Sequence, residues 1–267
     1  MQKNIRFRNS KINYEVSGEG DVIVLIHGFV ESLEIWHELI PLLNKNYKTI
    51  SIDLPGHGKS ELFSNDISID SMAEAIHEVL KTESISDFII IGHSMGGYVT
   101  MAYADLYPGN LKGICLFHSS AMADTDEKKA DRLRAIEAVK NNHKDFAVSL
   151  VSKLFKEGNE QNFEAAAGKL KEIAKSISAE ALIASLMAMR NRPDRSPLLS
   201  KLKIPVLFIW GKDDKVLDFS YAYHQGKLPQ TSQILILSNT GHLGFLEAKT
   251  ETFHTLEKFA EFCTLKS

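Results

Sequence analysis

Four short runs of this chain are apolar at every position: Val22–Ile26, Phe88–Ile91, Ile114–Phe117 and Val206–Trp210. A strand with one wet face alternates apolar and polar residues, so a strand that does not alternate must be covered on both faces. Related runs lie at Thr49–Ile52 and Ile234–Leu237, while Ile5–Phe7 and Ile12–Val16 alternate as half-exposed strands do. Helical spacing fills the gaps. Met72, Ile76, Val79 and Leu80 fall on one face, and Ser71 with Glu74 has the spacing of a capping box. Met95–Tyr107 is stopped by Pro108-Gly109, and Leu246–Leu265 places Phe253, Leu256, Phe259 and Ala260 on one face. Strands alternating with helices predict an α/β fold: a mostly parallel, eight-stranded sheet with helices on both faces and an antiparallel edge at the amino-terminal end.

One stretch breaks the alternation. Between residues 121 and 197 no strand pattern is found, and helical spacing recurs at Leu133, Ile136 and Val139, at Val151, Leu154 and Phe155, at Phe163, Leu170, Ile173 and Ile177, and at Leu182, Leu186 and Met189. Residues 121–197 therefore read as a helical cap inserted into a core made of 1–120 and 198–267. That insertion explains a length of 267 residues, which lies between the usual one-domain and two-domain sizes. Asp218 reads as the N-cap of a helix over Phe219–Gln225.

Composition excludes several classes. Lys and Arg total 31 and Asp and Glu 34, a net charge of −3, so no global field draws the chain to nucleic acid or anionic lipid. Two cysteines, Cys115 and Cys263, make no disulfide framework. The first residues lack the apolar core of a secretion signal, and no run approaches a membrane span. The expectation is a cytoplasmic protein, monomer or homodimer, with no membrane or nucleic-acid partner.

The chemistry-bearing motif is Gly92-His93-Ser94-Met95-Gly96-Gly97, placed directly after an apolar strand and opening a helix. Gly-x-Ser-x-Gly in that context is a sharp turn that presents the serine hydroxyl at the strand's carboxyl end, facing the positive end of the helix dipole. A free serine hydroxyl is a weak nucleophile and needs a base oriented by an acid. His242, in Asn239-Thr240-Gly241-His242-Leu243-Gly244 after the last strand, is the candidate base. The acid comes from Gly211-Lys212-Asp213-Asp214 after the preceding strand, where Asp214 and its neighbour Asp213 compete and Asp214 is preferred. His27, His57 and His93 read as loop-holding residues and His254 as surface or packing. Gly56-His57-Gly58-Lys59-Ser60 lacks the first glycine of a phosphate loop, since Asp53 stands there. No zinc-ligand spacing is present, and no metal or other cofactor is expected.

The order Ser94, Asp214, His242, together with His27-Gly28-Phe29 and Asp53-Leu54-Pro55-Gly56-His57-Gly58-Lys59-Ser60 after earlier strands, resembles the α/β-hydrolase-fold serine hydrolases with a helical cap, of carboxylesterase or enol-lactonase type. The resemblance runs from the first strands to the last helix. It implies an oxyanion hole formed by the backbone N–H groups of Phe29 and Met95. It also implies a carboxylic ester hydrolase acting on a small-molecule ester or lactone through an acyl-enzyme on Ser94. Serine at the nucleophile position disfavours the branches of this fold that use aspartate. Carbon–carbon bond hydrolysis, enol-lactone hydrolysis and perhydrolysis use the same residues and stay open, as does a ligand-binding sensor on a hydrolase scaffold. Trp36, Tyr98, His118, Met122, Leu186 and Leu243 are the candidate pocket residues, with no Arg or Lys placed for a substrate carboxylate, which suggests a small or medium apolar acyl group.

Overall fold

The computed structural model describes residues 1–218 and 224–265. At its centre is one eight-stranded sheet in the order β1-β2-β4-β3-β5-β6-β7-β8. The strands are β1 (Gln2–Phe7), β2 (Ser10–Ser17), β3 (Asp21–Ile26), β4 (Tyr47–Ile52), β5 (Phe88–His93), β6 (Leu111–Phe117), β7 (Val206–Gly211) and β8 (Ser232–Leu237). β2 pairs antiparallel with both β1 and β4, which makes the antiparallel edge, and the remaining pairings are parallel. β5 and β7 are buried at every position, as their unbroken apolar runs require. The edge strand β8 instead leaves Ile234 and Ile236 about half exposed.

Helices cover both faces. α2 (Ile69–Thr82) packs on α3 (Met95–Leu106), and α3 lies against β5 and β6. On the other side of β6 runs α9 (Lys249–Leu265), which also touches β8 and the short α1 (Ile40–Leu43). Gly113 of β6 allows this approach, because a Cβ there would meet Cys263 and Phe259 of α9. Cys115 and Cys263 are buried free thiols. Two helix boundaries differ from the sequence expectation. The capping box of α2 is Ser68 with Ser71, since the helix starts one turn earlier, and Glu74 instead pairs with Arg8. The final helix is broken at Ala248 into α8 (Gly244–Glu247) and α9. The break lets the Glu247 carboxylate turn back and accept the N–H groups of Lys156 and Gly241.

Between β6 and β7 the chain builds α4 (Asp126–Leu154), α5 (Glu164–Ser176), α6 (Ala179–Asn191) and the single turn α7 (Ser196–Leu199). α4 packs on both α5 and α6 and is kinked where Asn142 leaves helical geometry (φ −157°, ψ 92°). Ile136, Val139 and Val151 are buried as their spacing predicts, whereas Leu133 faces solvent. Arg195 anchors this helical segment to the sheet's helices by pairing with Asp70 of α2 and Asp105 of α3. The predicted helix over Phe219–Gln225 falls mostly outside the described residues. Among the described residues no helix is long and apolar enough to cross a membrane.

β3 is followed in sequence by β4 on one side and paired with β5 on the other, so the loops leaving β3 and β5 diverge. A crevice opens at such a reversal of strand order, at the carboxyl ends of the strands. The close approach beneath it depends on glycine: a Cβ at Gly96 would overlap the carbonyl oxygens of Ile26 and His27, which are backbone atoms that cannot swing aside. Gly96→Ala is expected to lower the unfolding free energy by about 1–3 kcal/mol, the range for overpacking a rigid contact. Urea denaturation of the two proteins measures this directly.

Candidate active site

Ser94 sits where β5 turns into α3, with φ 50° and ψ −115°. A non-glycine residue there is strained by about 1–3 kcal/mol and persists only when its surroundings fix it. Here they do. The Ser94 N–H donates to the Phe117 carbonyl at 2.9 Å, and the Ser94 carbonyl accepts from Gly97 N–H and from the Ser119 hydroxyl. A Cβ at Gly92 would strike Gly96, and one at Gly97 would strike Ser119, so the turn closes only with glycine at both positions. Among the described residues, the amides of Met95 and Phe29 have no hydrogen-bond acceptor.

His242 is reached from the opposite side. Its N–H donates to the Leu154 carbonyl at 2.7 Å, which ties its loop to the end of α4. Its Nδ1 lies 2.7 Å from Asp214 Oδ2. The competition between the two aspartates is decided by burial: Asp213 is exposed, whereas the Asp214 side chain is 1% exposed. Asp214 Oδ1 also accepts the N–H groups of Val216 and Leu217. Burial pushes the Asp214 carboxyl up, but His242 and His118 outweigh it and hold the group well below the usual carboxylate range. An ionised Asp214 fixes the His242 proton on Nδ1, leaving Nε2 as the free base. That Nε2 is buried and has no hydrogen-bond partner among the described residues, the Ser94 hydroxyl included. Such contacts are often long without substrate.

His118 is a second partner of Asp214, at 3.1 Å from Oδ2. Its Nε2 accepts the Gly244 N–H at 3.1 Å, which places the ring proton on Nδ1 facing the carboxylate, and the Gly211 N–H lies 3.3 Å from the same Nδ1. Burial lowers its pKa to about 4, consistent with a neutral ring. His118, Asp214 and His242 bring potential metal-ligand atoms within 4.8 Å of one another. The donor set does not fit a metal, because one His118 nitrogen is occupied by an amide and the other carries its proton toward Asp214.

A buried ion pair lies beneath these groups. Glu31 Oε2 accepts the Gly28 N–H at 2.6 Å and faces His93 Nδ1 at 2.9 Å. His93 Nε2 donates to the His242 carbonyl at 2.8 Å. Both ring nitrogens face acceptors, so His93 is an imidazolium. Burial opposes its charge, but Glu31 outweighs burial and raises its pKa, while His93 in turn lowers that of Glu31 against burial. The pair joins the loop carrying Phe29, the turn carrying Ser94 and the loop carrying His242. His27 holds its own loop, accepting the Leu54 N–H at Nε2 and meeting the Gly28 carbonyl at Nδ1. The Asp53 carboxylate likewise holds its loop, accepting the N–H groups of Leu33 and Lys59.

Ser94 and His242 open on one cavity of about 280 Å³ beneath α4 and α6. Of the candidate pocket residues, Tyr98, Met122 and Leu186 line it, as does Phe29. Three do not. Trp36 is fully buried against Phe117 and Phe245. Leu243 is buried in the core, and His118 lies behind His242 on Asp214. Sequence reasoning missed Glu31, which belongs to no motif. It also missed Lys128, Arg132 and Arg192 in the cavity wall, whose surface-like helical spacing carries no signal of convergence.

The family described as having the alpha/beta hydrolase fold matches residues 21–142. The monoacylglycerol lipase ABHD6 of Bos taurus is 28% identical over 258 residues, covering 91% of this chain and 76% of that protein. Among solved structures, a thermophilic esterase from Thermogutta terrifontis superposes with a TM-score of 0.90 at 25% identity, covering 95% of this chain and 94% of that one. The enol-lactonase from Burkholderia xenovorans LB400 superposes with a TM-score of 0.89 at 19% identity, covering 96% and 99%.

Removing one member of a buried ion pair leaves an uncompensated charge, so Glu31→Gln is expected to lower the unfolding free energy by about 3 kcal/mol. The raised His93 pKa gives stability that is full below its unfolded value of 6.5 and fades as pH rises through the folded value. The lowered Glu31 pKa gives stability that is full above its unfolded value of 4.5 and fades as pH falls through the folded value. The difference between wild type and variant in urea titrations is therefore largest between those two values and narrows on either side.

Proposed function

We propose that this chain, which has the α/β-hydrolase fold, is a carboxylic ester hydrolase that works through an acyl-enzyme formed on Ser94. The observation that carries this reading is the buried pair Asp214–His242, whose unpartnered Nε2 opens on the same cavity as the strained Ser94. In the mechanism His242 Nε2 takes the Ser94 hydroxyl proton as the oxygen attacks the ester carbonyl. The carbonyl oxygen becomes an anion that accepts hydrogen bonds from the amides of Phe29 and Met95; each such donor lowers the barrier by about 3 kcal/mol. His242 then gives its proton to the departing alkoxide, which leaves as alcohol. Water enters, loses a proton to His242 and attacks the acyl carbon. The collapsing intermediate releases the carboxylic acid as Ser94 regains its proton. Asp214 holds the ring and stabilises the imidazolium, and His118 and two backbone amides hold Asp214.

Residues 121–197 act as a cap that walls the site, and the Leu154–His242 hydrogen bond couples that cap to the base. A cavity of about 280 Å³ takes roughly nine water-sized groups at ~30 Å³ each, which suits a short or medium acyl chain. The named esterase and lipase relatives support ester cleavage.

On p-nitrophenyl esters of two to eight carbons, Ser94→Ala is expected to lower kcat by about 10⁶. Asp214→Asn lowers it by about 10⁴, because the base then holds the wrong tautomer. A Ser94→Ala protein that hydrolyses at the wild-type rate would overturn the assignment. A wild type that turns over no member of the series would point to a binding protein instead.

A further inference from the structure

The cavity beside Ser94 has one wall that is charged. Arg192, at the end of α6, is buried, and its guanidinium lies 3.8 Å from the centre of the Tyr98 ring. Its Nη1 donates to Asp124 Oδ1 and to the Met189 carbonyl, both at 2.7 Å, and its Nε donates to the Met122 carbonyl. Arg132, on the first turns of α4, donates from Nε to the other oxygen of the same carboxylate at 3.0 Å. Two guanidinium groups therefore share one carboxylate, both of whose oxygens are taken. The Asp124 side chain is 3% exposed, so little water screens the imbalance. Among the described residues, Arg192 Nη2 and both terminal nitrogens of Arg132 have no acceptor.

Lys128 adds a third cation, resting its Nζ on the Val216 carbonyl rather than on an acid. The other acids lining this cavity offer no compensation to that cluster. Glu31 is matched by His93, Asp131 pairs with Arg134, and Asp218 has a partner of its own. A scaffold that needed only to fasten Asp124 would be complete with Arg192. The second guanidinium belongs to the residues that line the cavity, and a planar fork of this kind binds a carboxylate in two parallel bonds.

We propose that this wall is an anion subsite and that the preferred substrates are esters whose acyl chain ends in a carboxylate, hemiesters of short dicarboxylic acids. This rests on the reading of Ser94 as nucleophile and names the acyl group that site takes. Arg132 and Lys128 hold the distal carboxylate, Arg192 keeps Asp124 from neutralising Arg132 fully, and the apolar walls hold the methylenes between. The limited volume sets the chain at about four to six carbons. The all-apolar acyl group expected from the sequence is replaced by one with a charged end.

The experiment compares kcat/KM for p-nitrophenyl hemiglutarate with that for its neutral counterpart, p-nitrophenyl pentanoate. The wild type is expected to favour the hemiglutarate at least tenfold, and the ratio falls as salt rises. Arg132→Gln reduces that ratio by about ten- to a hundredfold, the span of a charge-assisted hydrogen bond, chiefly through KM. Lys140→Gln, which removes an exposed cation of the same helix paired with Glu137, leaves the ratio as in wild type. Glutarate competes with pentanoate hydrolysis in wild type and more weakly in Arg132→Gln. Hydrolysis of the pentanoate with no preference for the hemiglutarate overturns the subsite and leaves ester hydrolysis standing. A ratio that falls equally in Lys140→Gln also overturns it, by reducing the effect to net charge. Turnover of neither ester overturns the hydrolase reading and the subsite together.

Discussion

The site depends on backbone contact at the crossing of β5 and α3. Gly92, Gly96 and Gly97 leave no room for a side chain, so α3 presses directly onto the ends of β3 and β5. That closeness forces Ser94 into a left-handed conformation and turns its hydroxyl out of the sheet. It also brings the loop after β3 alongside, because Gly96 packs on the carbonyls of Ile26 and His27. The Glu31–His93 pair locks this arrangement from below. An ion pair removed from water costs more than a well-packed apolar substitute in many settings. Its retention here matches its place, since it spans three loops that must hold their relative positions.

Much of this was legible in the sequence because it is local. Each of the eight apolar or alternating runs became a strand, and Val22–Ile26 and Phe88–Ile91 needed no information beyond their own residues to indicate burial on both faces. The glycine spacing around Ser94 specifies a strand-turn-helix by itself. His242 was recognisable by its glycine-flanked loop after the last strand. Asp214 was the harder choice, because two adjacent acids look alike until one is buried.

The unread part is non-local. Glu31 finds His93 across more than sixty residues, and Arg132 meets Arg192 only because α4 and α6 pack on each other. Neither helix carries a motif, and cations at those spacings resemble any solvated helix face. Trp36 and Leu243 stand close in sequence to the motifs, yet both are buried in the core. His118 was expected in the pocket and instead supports Asp214 from behind. Side-chain direction at a strand end is set by which face is already filled, and that depends on the whole sheet.

The proposed chemistry turns on one covalent bond, that between Ser94 and the acyl group. Incubation with a fluorophosphonate followed by intact-mass and peptide-level mass spectrometry tests it directly. One adduct per chain is predicted, on the peptide containing Ser94, lost in Ser94→Ala and strongly slowed in His242→Ala. An unlabelled wild type, or equal labelling of the Ser94→Ala protein, would contradict it.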